Sequence, residues 1–137
     1  METLEIQTNA RSELLDITSM VREAVERSGV RDGVAHLWSL HTTCGLTINE
    51  GADPAVARDI AWKLDRLVPE GEPGYRHGEG NSDSHIKTSV VGPGVTLLVS
   101  NGDLVLGRWQ AVFLAEFDGP RQRRVALQVI AAGQGSD

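Results

Sequence analysis

Hydrophobic and polar residues alternate at the start of the chain and then change to a helical spacing. Leu4 and Ile6 alternate with Glu5 and Gln7, which predicts a half-buried strand. Asp16 and Thr18 are candidates to cap a helix, and apolar residues recur from there at helical spacing until Gly29. That stripe consists of Ile17, Met20, Val21, Ala24 and Val25. The first 29 residues therefore predict a strand followed by a helix.

The middle of the chain combines a buried strand pattern with a second helix. Residues 34–40 are apolar apart from His36 and Ser39, and the threonine-rich stretch 42–48 follows, so we expect one or two inner strands broken near Gly45. Asp53 and Pro54 predict a helix start, because Asp can cap free amides and Pro needs no donor there. This helix should reach about Val68, with a core stripe of Val56, Ile60, Leu64 and Leu67.

A long polar loop follows the second helix, opened by the proline- and glycine-rich run 69–74. It carries Tyr75, His77, Asn81, Asp83 and His85. Asn81 or Ser82 is predicted to cap a short helix that ends at Val91. Long loops in small domains are often functional, so this loop is a first candidate for chemistry.

The remainder of the chain has a strand pattern. Apolar runs at 95–99, 104–106, 111–117 and 125–130, with a turn at 101–103, predict consecutive antiparallel hairpins. We therefore expect an α+β fold, a mostly antiparallel sandwich or barrel-like sheet with about three helices packed outside. A single domain should cover residues 1–132, with a polar C-terminal tail at 133–137.

Composition restricts the classes of function. The 137 residues are 40 % hydrophobic, enough for one core, and 13 basic against 19 acidic residues leave a net charge of −6, which argues against nucleic acid as a partner. The sequence has no long apolar run and no basic leader, so we expect no membrane partner and a cytoplasmic location. The one cysteine, Cys44, excludes internal disulfides and thiolate zinc clusters, and we interpret it as a packed thiol.

Three of the four histidines lie at a strand end or in the polar loop, namely His41, His77 and His85. Three neutral imidazoles with an open fourth position can hold a catalytic divalent metal ion, zinc or magnesium. The alternative is that they are ordinary polar residues of loops, and both interpretations stay open on spacing alone. His36, inside a strand, is interpreted as a packed, hydrogen-bonded residue.

Polar side chains also bracket the threonine-rich strand. Thr42 and Thr43 lie near its start, and Asn49 and Glu50 near its end. Glu50 is a candidate general acid or base, and strand capping is the structural alternative. The basic run 121–124 suits phosphate oxygens, although a solvated turn explains it equally well.

Five motifs in this order resemble the YjbQ-type family, also called secondary thiamine-phosphate synthases. They are HTTCGLTINE at 41–50, DP at 53–54, YRH at 75–77, SHIK at 84–87 and GRWQ at 107–110, and the resemblance covers residues 3–131. Two positions depart from the family pattern: Arg108 stands where Thr is usual, and Gly94 where Ser is usual.

The resemblance implies a compact α+β homotrimer, with histidine and acidic residues in a cleft around a metal held by His41, His77 and His85. It implies a weak, secondary activity that joins a hydroxymethylpyrimidine pyrophosphate to a thiazole phosphate and releases pyrophosphate. On this basis we expect a catalytic group of Glu50, Asn49 and Lys87. The expected substrate-binding residues are Thr42, Thr43, Asn81, Trp109, Gln110 and Arg124, with Lys87 and Arg124 suited to phosphate oxygens.

Two other classes of function stay open. A metal-dependent hydrolase would use the same histidines to activate water, and a non-catalytic protein would only bind a phosphorylated metabolite. Metal removal abolishes turnover in both enzyme classes, whereas the binding protein has none to lose.

One residue of the second helix suggests a surface contact. At about 100° per residue, Trp62 lies opposite the apolar stripe, among Arg58, Asp59, Asp65 and Arg66. Tryptophan is enriched at protein contacts, so we expect Trp62 at or near a subunit contact of the implied trimer.

Overall fold

The computed structural model describes residues 1–133, which form two antiparallel sheets and three helices. In chain order the elements are β1 (Glu2–Gln7), β2 (Glu13–Asp16), α1 (Thr18–Ser28), β3 (Gly33–Ser39), β4 (Cys44–Glu50), α2 (Pro54–Leu67), α3 (Ser82–Val91), β5 (Gly94–Ser100), β6 (Asp103–Leu104), β7 (Gln110–Glu116) and β8 (Gln122–Ala131). The strand order is β1-β8-β3-β5-β6 in the large sheet and β2-β7-β4 in the small one. This arrangement confirms the α+β prediction.

The core lies where the inner faces of the sheets meet α1. Alternating residues of β1 (Leu4 and Ile6) are buried there, as the sequence predicts, together with Val21 and Val25 of α1. The small sheet contributes Leu46 from β4 and the inward residues of β7. Burial of these alternating positions fixes the register of the strands, because a shift of one residue would expose them.

The limits of α1 and α2 confirm their predicted starts. The Asp16 carboxylate accepts the Thr18 N–H at 2.9 Å, and Asp53 accepts the Ala55 N–H at 2.9 Å. The prediction for α3 is right in extent, and Asn81 occupies its N-cap position as expected, but no side-chain hydrogen bond caps the helix. The Asn81 amide instead donates to Asp118 Oδ2 at 2.8 Å.

The predicted core stripe of α2 is wrong. Ala61 is the buried residue of this helix, whereas Leu67 is 65 % exposed and the other stripe residues are only partly covered. The reason is that α2 lies against β2 and β4 and outside the core cluster, so its apolar positions are only partly covered.

Three strand predictions also need correction. The strand predicted at 42–48 begins at Cys44 and passes through Gly45 without a break. A Cβ on Gly45 would lie 2.6 Å from the Gly92 carbonyl oxygen, so glycine there permits close approach of the chain after α3. Strand β2 is missed, and β8 begins at Gln122, so the basic run lies largely in a strand.

Two further predictions concern the surface and the end of the chain. His36 is hydrogen-bonded as predicted, its Nδ1 3.0 Å from the Thr96 hydroxyl, but it is exposed on the outer face of the large sheet and not packed. Residues 134–137 of the predicted tail lie outside the described residues. Among residues 1–133, no helix is long and apolar enough to cross a membrane.

Candidate functional site

Strand β4 separates the predicted site residues into two groups. It runs from Cys44 to Glu50, so its ends are about 20 Å apart at the usual rise of a strand. His41, Thr42 and Thr43 precede its first residue, whereas Asn49 and Glu50 lie at its far end. One chain therefore does not gather these residues into one site.

A buried ion pair occupies the first end of β4. Glu116 and Arg123 are almost completely buried, and Arg123 Nε donates to Glu116 Oε2 at 2.8 Å. Burial alone would raise the pKa of Glu116, but hydrogen bonds from Arg123, the Asp118 N–H and Thr8 outweigh it and leave that pKa below its usual range. Arg123 Nη2 also donates to the Thr43 hydroxyl at 2.9 Å. Thr43, expected to bind substrate, is thus buried as part of this network.

The same end of β4 holds His41 in a defined tautomer. Its Nε2 accepts the Arg124 N–H at 2.9 Å, so the proton of the neutral ring lies on Nδ1. Burial and the nearby Arg123 charge lower the pKa of His41, which favours this neutral form. A neutral imidazole has one lone pair, and here Arg124 occupies it, so His41 offers no nitrogen to a metal. The Thr42 and Arg124 residues beside it are exposed.

His77 and His85 lie together. Their ring centroids are 5.4 Å apart in an edge-to-face arrangement, and both line a hollow of about 500 Å³ beside α3. Across residues 1–133, no group of three or more His, Cys, Asp or Glu side chains is arranged to hold a metal ion. The structure thus brings two of the three predicted ligands together and not the third, and the predicted three-histidine centre does not fit one chain.

Lys87 is part of a buried charge network. Its ammonium is 2.8 Å from Asp83 Oδ2 and 2.6 Å from Asp65 Oδ1, and Arg11 pairs with Asp83 at 3.2 Å. Burial alone would raise the pKa of Asp83, but hydrogen bonds from Arg11 and Lys87 outweigh it and leave that pKa low. Two carboxylates pair with the Lys87 ammonium and join α3 to α2, so Lys87 has a structural role, and its expected role in catalysis or phosphate binding stays a prediction.

The far end of β4 holds a cleft made of two adjoining hollows: Glu50 lines one, and Trp109 and Gln110 line the other. The Gly51 N–H donates to the Trp109 carbonyl at 2.8 Å, and a Cβ on Gly51 would lie 2.5 Å from that of Ala111. Glycine therefore lets the turn after β4 touch the start of β7. Gln110 Oε1 accepts the Gly107 N–H at 2.7 Å, which holds the neighbouring turn. Asn49 is exposed, and its side chain accepts the Glu50 N–H at 2.8 Å.

One part of this cleft, the acidic hollow, lies between α2 and the small sheet and measures about 520 Å³. Its apolar lining includes Leu14, Phe113, Ala57, Ala61 and Trp62. Its charged lining consists of Glu13, Asp16, Glu50, Asp53, Asp65 and Arg58. One oxygen of Glu50 accepts the Asp53 N–H at 3.3 Å, and the other accepts no hydrogen bond from residues 1–133.

The second part, the arginine hollow, measures about 380 Å³ and shares Asp16 and Gly51 with the first. Arg22, Arg108, Trp109 and Gln110 line it. Sequence reasoning missed both arginines as site residues, although Arg108 is signalled by its departure from the usual motif. It also missed Arg123 as a core residue, which its alternation with Val125 and Leu127 in one strand could have revealed.

Comparison with known proteins matches this fold and sequence to one family. The family model described as UPF0047 protein YjbQ-like matches residues 2–132. The chain belongs to the YjbQ family. It is 48 % identical over 126 residues to the UPF0047 protein MJ1081 of Methanocaldococcus jannaschii, which covers 92 % of this chain and 91 % of that protein. Its identity to the YugU protein of Bacillus subtilis is 41 % over 130 residues, 95 % of this chain and 98 % of that protein.

Solved structures of YjbQ relatives share the fold. A YjbQ/UPF0047 protein from Clostridium acetobutylicum superposes with a TM-score of 0.92 at 45 % identity and covers 95 % of this chain and 100 % of that one. A protein from Thermus thermophilus superposes with a TM-score of 0.89 at 45 % identity over the same shares. The two-sheet architecture is therefore the family's architecture.

Proposed function

We propose that this chain is a thiamine-phosphate synthase-like transferase whose substrates bind at the Glu50 end of β4. One observation carries the proposal: Glu50 lines a hollow with an apolar floor and an open carboxylate oxygen, and Trp109 and Gln110 line the adjoining hollow, which shares Asp16 and Gly51 with it. At the other end of β4, Thr43 and His41 are already hydrogen-bonded to protein groups.

The acidic hollow suits flat heteroaromatic rings that carry hydrogen-bond donors. Leu14, Phe113 and Trp62 offer apolar contact to a ring. The amino group of a pyrimidine can donate to the free oxygen of Glu50, which its hydrogen bond from the Asp53 N–H orients. The volume of about 520 Å³ is large enough for such rings.

The charge of this hollow also suits the proposed reaction. The ring nitrogen of the thiazole phosphate attacks the methylene carbon of the pyrimidine pyrophosphate, a C–N bond forms, and the C–O bond breaks as pyrophosphate leaves with the electron pair. The thiazole ring gains positive charge during this step. Fixed carboxylates such as Glu50 stabilise that charge in the transition state more than in the neutral substrate, which lowers the barrier.

We assign no binding site in this cleft to the divalent ion expected from the resemblance. No histidine lines either hollow, and the pair formed by His77 and His85 belongs to a different hollow beside α3. The proposed reaction is therefore argued from Glu50 and its neighbours, and metal binding stays a separate prediction for the histidine pair.

A homotrimer, located in the cytoplasm, remains part of the proposal. Within the described chain α2 leaves Leu67 65 % exposed and Trp62 56 % exposed, with Arg66 stacked 5.0 Å from the Trp62 ring. Burial of such surface against another copy would stabilise the trimer.

Sedimentation should show that Trp62→Ala weakens the trimer, with the exposed Trp38→Ala as a control. An unchanged dissociation constant for Trp62→Ala would show that Trp62 is an ordinary surface residue outside the subunit contact.

Product formation tests the proposed function. Purified protein with both substrates should form thiamine phosphate, and Glu50→Gln should reduce the rate at least about tenfold, because it removes the charge and keeps the shape. The matched control is Glu23→Gln, an exposed carboxylate on α1 outside the cleft. Equal rates for Glu50→Gln and wild type would show that the active site lies elsewhere. A wild type that binds the substrates without forming product would make the chain a binding protein.

A further inference from the structure

Arg108 lies in the arginine hollow on a turn that the fold holds in place. Its guanidinium carbon is 4.8 Å from the centroid of the Trp109 ring. The turn is closed on both sides, since Gln110 N–H donates to the Gly107 carbonyl at 3.0 Å and Gly107 N–H donates to Gln110 Oε1 at 2.7 Å. Stacking orients the guanidinium plane and leaves its N–H groups at the edge free to donate.

The charges of the arginine hollow favour an anion. Its lining holds two guanidinium groups, Arg22 and Arg108, and one carboxylate, Asp16, which accepts from the Thr18 N–H and hydroxyl. Arg22 Nε pairs with Asp103 at 2.8 Å, so the charge of Arg22 is partly offset and only the rest of its guanidinium is open to a ligand. Arg108, in contrast, forms no ion pair with any residue in 1–133, so its full charge is open to a ligand.

The other cations expected to hold phosphate differ from Arg108. Lys87 is buried between two carboxylates, and Arg124 lies at the opposite end of β4, beside His41. Neither lines either hollow of the Glu50 cleft. An anionic end of a substrate that enters the arginine hollow would meet Arg108 and Arg22, whereas Arg58 lies in the acidic hollow among five carboxylates.

We propose that the arginine hollow is the anion subsite of the cleft, and that Arg108 makes it prefer a pyrophosphate group to a single phosphate. The inference rests on the proposed site. Two guanidinium groups can pair with two phosphates of one ligand, whereas a single phosphate leaves one guanidinium without a partner.

Binding of inorganic pyrophosphate and inorganic phosphate tests the inference directly. Calorimetry gives both affinities, and the indole N–H signals of Trp38, Trp62 and Trp109 report where the anion binds. The variants are Arg108→Thr, the rival Arg124→Thr, and Arg31→Thr as a charge-matched control on an exposed loop. A thermal melt of each variant shows that it is folded.

We expect pyrophosphate to shift the Trp109 indole signal and not those of Trp38 and Trp62. Arg108→Thr should weaken pyrophosphate about tenfold, the effect of one lost charge-assisted contact, and weaken phosphate much less. Arg31→Thr should bind as wild type does. Equal affinity of wild type for the two anions, an unchanged Arg108→Thr, or a loss in Arg124→Thr instead would overturn the inference.

The same variants separate this inference from the proposed function. If wild type forms product while Arg108→Thr keeps its affinity for pyrophosphate, the inference fails and the function stands. If pyrophosphate binds as expected to a protein that forms no product, the inference stands and the transferase function fails.

Discussion

The two ends of β4 use similar residues for opposite purposes. At the first end, Glu116 and Arg123 are buried and paired, and they fix Thr43 in the fold. At the far end, Glu50 and Arg108 line an open cleft and keep hydrogen-bonding capacity free. A buried charged residue whose hydrogen bonds are all made to protein groups supports the structure. A charged residue that is held in place but has no ion-pair partner is available to a ligand.

This difference shows why charge alone does not mark a site in this chain. Lys87 and Arg123 carry the same formal charge as Arg108, yet carboxylates at close distance neutralise both. The useful distinction is between side chains whose partners are other side chains and those oriented only by a main-chain N–H or by stacking. Glu50 and Arg108 are of the second kind.

Glu116→Gln should have the largest effect on stability. The substitution keeps the shape but leaves Arg123 buried without its counter-charge, which should lower the free energy of unfolding by about 3–5 kcal/mol. Urea unfolding measures it. Glu50→Gln is the matched control at the far end of β4 and should change stability by no more than about 0.5 kcal/mol. If the two variants unfold at the same urea concentration, the contrast between the two ends is wrong.

Lys87→Met should have the next largest effect. It removes hydrogen bonds to Asp83 and Asp65, but Arg11 still pairs with Asp83, so we expect a loss of about 2 kcal/mol. Lys63→Met, an exposed lysine on α2, is the control and should be close to neutral. Turnover per folded molecule should persist in Lys87→Met. If Lys87→Met has normal stability but no turnover, Lys87 belongs to the catalytic group.

Zinc binding separates the histidines. Because His77 and His85 are adjacent and His41 Nε2 is occupied, His77→Ala and His85→Ala should each weaken zinc binding at least about tenfold. His41→Ala should bind zinc as wild type does, and His36→Ala is a second control. Equilibrium dialysis measures these affinities. An equal loss in His41→Ala would support the three-histidine centre and show that another copy or a rearranged ring completes it.

The local elements of the fold could be predicted from sequence because their signals are local. Asp53 caps α2 and the alternation of Leu4 and Ile6 buries one face of β1, both as expected. The burial of α2 could not be predicted in this way. Its amphipathic pattern shows that an apolar face exists but does not show which element covers it.

The site residues were harder to predict, since their contacts are remote in sequence. His41 meets Arg124 across 83 positions, and Arg123 meets Thr43 across 80. Such contacts depend on the pairing of strands, which a motif does not encode. The motifs predict Glu50, Trp109 and Gln110 as site residues, which stays a prediction, but they do not show that Thr43 and Lys87 belong to buried networks.

An amide NMR titration with thiazole phosphate decides whether substrate binds at the Glu50 end of β4. The signals of Gly51 and Trp109 should move with the ligand, whereas those of Thr43 and Arg124 should stay in place. Movement of Thr43 and Arg124, with Gly51 and Trp109 unchanged, would contradict it and assign the site to the opposite end of the strand.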